Sequence, residues 1–129
     1  FYTYICINRD LLNENLQSDS KLANQAIEAL IRAASMVSPS GKQNSFASRS
    51  YASYLLVEKS TEQPRSLAAA FFKPVTGKDI YGDAVKSLED LRDRMDKAYG
   101  TSFKESSISM NVIDGTGSMA DIISFISKS

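Results

Sequence analysis

Residues 41–58 read GKQNSFASRSYASYLLVE, and the reading of the fold turns on the change of character inside this stretch. From 41 to 49 it is polar and basic: Lys42, Gln43, Asn44, Ser45, Ser48 and Arg49 put six hydrogen-bonding side chains into eight positions. From 51 to 57 it turns apolar and aromatic, the composition of a strand. The run SPSG at 38–41 stops any helix before it, since proline supplies no amide donor and clashes with the preceding turn. A strand behind the loop gives it a rigid base.

Upstream, Leu22, Ala26, Ala29, Leu30, Ala33 and Val37 recur at helical spacing, with Lys21, Gln25, Glu28 and Arg32 on the opposite face. This predicts an amphipathic helix capped by Asp19 or Ser20 that ends before Pro39. A short helix or turn from Asp10 to Leu16, with Asp10 as its cap, precedes it. The opening FYTYICIN (residues 1–8) is apolar on both faces and predicts a central strand holding Cys6 in mid-strand, as a small buried hydrophobe. Strand, helix, strand implies a right-handed crossover. In a split βαβ fold, residues 1–58 are then the second half of the sheet.

Downstream, residues 59–65 form a charged turn containing Pro64. SLAAAFFKPV (66–75) suits a helix by its alanines and either state by Phe71 and Phe72, until Pro74 ends it. Residues 76–79 make a turn. From Asp79 to Tyr99, Ile80, Ala84, Leu88, Leu91, Met95 and Ala98 form an apolar stripe, and Gly100 supplies the C-cap. Glu89, Asp90, Asp93 and Asp96 alternate with Arg92, Arg94 and Lys97, which reads as a solvated, ion-paired face. A short edge strand over 107–113, a turn over 114–117 and an amphipathic helix over 119–127 close the chain.

Composition narrows the chemistry. The 129 residues suit one domain, which at this size buries roughly two-thirds of its unfolded surface. Fifteen basic and fifteen acidic residues cancel, so duplex-DNA binding through bulk charge is excluded while a local basic groove is not. No histidine is present, which removes Ser-His and Cys-His catalysis from this chain. The single cysteine, Cys6, forbids an internal disulfide and fits a reducing cytoplasm. The sequence has no run of about 18 apolar residues, so no membrane helix is expected, and nothing points to a metal or cofactor. Ser40-Gly41-Lys42 lacks the upstream glycine and the Ser or Thr of a phosphate loop; Gly115-Thr116-Gly117-Ser118 lacks the strand and acidic partner of a dinucleotide fingerprint. The loop at 41–49 remains, with cations for phosphate and amides or hydroxyls for sugar oxygens.

At that loop the sequence resembles a known family. GKQNSFASRSYASYLLVE, followed by QPRSLAAAFFKPV, is similar to the C-terminal part of CasC, the backbone subunit of the type I-E CRISPR Cascade complex. FYTYICINRDLL and the helix ending Asp96-Lys97-Ala98-Tyr99-Gly100 extend the resemblance over nearly the whole chain, with the runs 42–47 and 70–75 the most specific; the tail after Thr101 matches poorly. The resemblance implies an α+β fold: the second βαβ half of a ferredoxin-like (RNA-recognition-type) palm plus C-terminal helices. Residues 1–129 are then a single partial domain, with strand–helix–strand over 1–58 and a helical extension over 59–129. The N-terminal half, helical insertion and thumb of the longer subunit lie outside it.

The implied function is to hold a crRNA guide, beside other copies of itself and other Cascade subunits, so that target DNA is reached through the guide. It is a cytoplasmic, non-catalytic role with no membrane and no cofactor. The residues expected on the RNA side are Lys42, Gln43, Asn44, Arg49, Lys73 and Lys78, the last two flanking the turn at 74–77. Tyr2, Tyr4, Tyr51 and Tyr54 lack a stacking pattern and read as core or interface, which suits recognition of RNA by its backbone. The rival is a protein-interaction module without an RNA role, docking through Phe71-Phe72 and the last helix.

Overall fold

The computed structural model describes residues 1–37 and 50–128. Their order is α1 (Arg9–Asn15), α2 (Ser20–Met36), β1 (Tyr54–Glu58), a 3-10 helix (Ala68–Phe71), α3 (Ile80–Tyr99), a second 3-10 helix (Phe103–Ser106), β2 (Ser107–Asn111) and α4 (Met119–Ser127). The chain is α+β, with β1 and β2 forming a two-stranded antiparallel sheet. Lys59 N–H donates to the Ser106 carbonyl at one end of this pairing (2.9 Å), and Val112 N–H to that of Ser53 at the other (2.9 Å).

The central strand expected over residues 1–8 is not formed. Those residues carry no ladder, and Phe1, Tyr4, Ile5 and Ile7 stay exposed. Strand composition makes a strand only where a neighbouring backbone takes up its hydrogen bonds. Among the described residues β1 has β2 as its partner, so the expected parallel crossover is replaced by an antiparallel pair. Cys6 is accordingly exposed rather than buried in mid-strand.

The chain falls into two compact units. One comprises Phe1–Cys6 with Val57–Ser107, the other Ile7–Leu56 with Ile108–Ser129. In the second unit, Asn8 rather than Asp10 caps α1, its side chain accepting from Leu11 N–H (2.9 Å). Asp19 caps α2 by accepting from Leu22 N–H (2.9 Å). α2 packs on α1 and α4. Its buried apolar residues are Ala23 and Ile27, joined by Ile122 and Ile126 of α4.

The expected stripe on α2 is therefore displaced by one residue, about 100° around the helix. Leu22, Leu30 and Val37 face solvent at 44%, 43% and 73% exposure. The periodicity marks two adjacent apolar strips, and α1 and α4 dock on the one holding Ala23 and Ile27. Beyond β2, Asn111 is buried and its side-chain oxygen accepts from the N–H groups of Ile113 and Asp114 (both 3.1 Å). This holds the turn that an antiparallel bridge from Asn111 to Thr116 closes.

In the first unit, α3 packs on both 3-10 helices around buried Leu67, Leu88 and Phe103. Asp79 caps α3 by accepting from Gly82 N–H (3.0 Å). Gly100 ends it in the left-handed region (φ 66°), where its N–H reaches the Asp96 carbonyl. The ends of the expected stripe, Ile80 and Ala98, are exposed, and Arg92 is buried instead.

Candidate nucleic-acid interface

The first unit carries a short basic turn anchored at both ends. Upstream, Leu67 is buried and its N–H donates to the Tyr2 hydroxyl (2.9 Å). The Tyr2 ring lies against Phe71, with centroids 5.6 Å apart at 50°. Phe72 N–H donates to the Ala69 carbonyl (3.3 Å), so the backbone is held as far as Phe72. Pro74 then fixes one backbone torsion. Downstream, the Asp79 cap starts α3, and the Asp83 carboxylate lies over Gly77.

Lys73 and Lys78 sit on this turn, and both are exposed. They are not equivalent. Lys78 adjoins the Asp79 cap and follows Gly77, over which Asp83 lies, so a phosphate approaching it meets two carboxylates. These carboxylates also take up the positive end of the α3 dipole. Lys73 stands beside exposed Phe72, with no acidic residue adjoining it in the sequence. Lys42, Gln43, Asn44 and Arg49 lie outside the described residues.

Two arginines that look equally basic in the sequence are committed elsewhere. Arg65 pairs with Glu58 (3.0 Å) and Asp96 (2.6 Å), and its guanidinium lies 4.2 Å from the Phe103 ring centre. Arg92, 4% exposed, pairs with Glu58 (2.7 Å) and Glu89 (2.9 Å) and donates to the Ser107 hydroxyl. The expected solvated face of α3 is thus split. Asp93 pairs with Lys104 at the surface (2.8 Å), while Arg92 and Asp96 face inward. A sequence signal existed, because Arg92 stands one turn from buried Leu88, where the aliphatic stem packs and the fork reaches carboxylates.

Burial alone would raise the Asp96 carboxyl. Hydrogen bonds from Thr101, Arg65 and the Lys104 N–H, with the Arg65 charge, outweigh it and hold the group below the usual carboxylate range. Burial would likewise lower Arg92, but Glu58 and Glu89 keep it charged, above its ordinary value. Among the described residues no cluster of three metal-ligating side chains occurs, and no helix is long and apolar enough to cross a membrane.

A family model for CRISPR-associated (Cas) CT1975-like proteins matches residues 1–123. The chain belongs to the CT1975-like family. The comparison with curated proteins gave no match. In this CRISPR-associated chain, the basic turn is a candidate contact for nucleic acid, and the Arg65–Glu58–Arg92 cluster is internal to the same unit.

Proposed function

We propose that this CT1975-like chain is the carboxy-terminal part of a Cascade backbone subunit of type I-E. It holds a crRNA guide in the cytoplasm, works beside other copies of itself and other Cascade subunits, and leaves target DNA to be read by pairing with the guide. It catalyses nothing itself. The observation that carries this reading is the CRISPR-associated family match over residues 1–123. The polar, basic stretch 42–49, with Lys42, Gln43, Asn44 and Arg49 in its sequence, and the exposed Lys73 and Lys78 support it as sites for a phosphate backbone.

Contacts of this kind position RNA without reading bases. Affinity is therefore nearly independent of sequence. It falls with salt by roughly 0.7 log units per log unit for each phosphate neutralised. Titrating the full chain with two unrelated single-stranded RNAs at several salt concentrations tests this. Lys42→Ala and Lys73→Ala should each lower the slope by about one phosphate's worth. A strong preference for one sequence, or slopes unchanged in both variants, overturns the assignment. The second reading, a docking module without RNA, would use the exposed ring of Phe72 as a protein contact. Absence of RNA binding by the full chain, together with loss of self-association in Phe72→Ala, would decide for it.

A further inference from the structure

We propose that Phe72 is a stacking platform for one unpaired nucleobase, with Lys73 beside it on the adjoining phosphate. This rests on the guide-RNA reading above and deepens it. Two consecutive phenylalanines have opposite fates. Phe71 is half-buried against Tyr2, whereas Phe72 is 84% exposed. The exposed ring does not sit on loose chain. Its backbone is helical (φ −64°, ψ −24°), and its N–H is bonded to Ala69 at the end of a 3-10 helix that packs on α3. A phenylalanine has two side-chain torsions, so ordering it on a ligand costs little entropy.

Single exposed apolar side chains are common, so the neighbours must decide the case. In the same unit, Tyr99 is nearly as open, at 78%. It lies on the last residue of α3, at the carbonyl end, one turn after Asp96. The open carbonyls of that end disfavour phosphate, and the one basic residue of that turn, Lys97, is not adjacent to the ring in sequence as Lys73 is to Phe72. Phe72 instead has Lys73 next to it and Pro74 stiffening the exit. An exposed aromatic side chain on an anchored backbone, beside an exposed cation, is the pairing that binds single strands, since every base has a π-face and every linkage a charge. The ligand class is RNA with at least one unstacked base; a regular duplex, whose bases are already stacked, offers the ring nothing.

The test uses the full chain and a short single-stranded RNA carrying one 2-aminopurine, with the same strand in duplex form as comparison. The single strand should be bound with quenching and the duplex without it. Phe72→Ala, folded by circular dichroism, should bind roughly tenfold more weakly, lose the quenching and keep the salt slope. Phe72→Leu, apolar but without a π-face, should behave like Phe72→Ala; Phe72→Tyr and Tyr99→Ala should match the parent. If Phe72→Ala binds and quenches like the parent while Lys73→Ala weakens binding, stacking is wrong and the RNA reading stands. If the parent binds no RNA, both fail. If Phe72→Ala changes only sedimentation, the ring is a protein contact and the proposal is overturned.

Discussion

Arg92 is a charged residue at 4% exposure on a helix whose sequence looks like a solvated ladder of charges. Removing one member of a buried pair leaves its partner's charge unpaired in low dielectric, which costs about 3–5 kcal/mol. Glu58 keeps Arg65 when Arg92 is lost, so Arg92→Met should sit near the lower end, about 3 kcal/mol in urea unfolding. Arg94→Ala, on the exposed side, should stay within about 0.5 kcal/mol. Equal losses in the two variants would contradict the burial. Asp96 sets a pH dependence. Its folded pKa is depressed, so its contribution is present above the unfolded value of about 3.9 and is lost as pH falls through the lower folded value. Thermal melts should show the parent losing this increment below about pH 4, and Asp96→Asn should be less stable at neutral pH with a flatter acid limb.

Helix ends are where the elements follow most directly from local chemistry. Asp79 starts α3 and Gly100 ends it because each residue type satisfies terminal backbone groups that the helix leaves open. Gly100 takes a positive φ with no atom near where a β-carbon would stand, so Gly100→Ala should cost only the backbone strain, about 1–2 kcal/mol. Gly117 combines a positive φ with a close approach to the Ser109 carbonyl and the Met110 backbone. Gly117→Ala adds a steric clash to the same strain and should lower the melting temperature clearly further. Equal melting shifts would show that the turn after β2 yields.

At the scale of the whole molecule, large apolar side chains remain open in each unit: Phe1, Tyr4, Ile5 and Phe72 in one, Leu22, Leu30 and Val37 in the other. A two-stranded sheet is marginal by itself and relies on helices for cover. Open apolar surface of this kind drives association. Light scattering against concentration should show the purified chain self-associating, more weakly at low temperature, where hydrophobic attraction fades. A monomer across the range would mean that these side chains are spread too thinly to make a patch.

From the sequence alone follow both long helices, Asp19 as one of two candidate caps for α2, the final helix and the C-cap glycine, because each depends on spacing and on side chains within a few residues; the α+β class follows from the resemblance. The absence of a histidine, and with it of histidine-based catalysis, is likewise a property of composition. The CRISPR association was legible in the resemblance of residues 41–58 and 63–75, and the family match carries it. Tertiary structure decided what depends on distant partners. It chose which of two adjacent strips of α2 is buried, left residues 1–8 without a ladder, and drew Arg65 and Arg92 inward to Glu58. It also laid the Asp83 carboxylate over Gly77, the neighbour of Lys78. Periodicity records that a residue is apolar or charged; only the neighbouring element supplies the surface it packs on, the backbone it bonds or the opposite charge it meets.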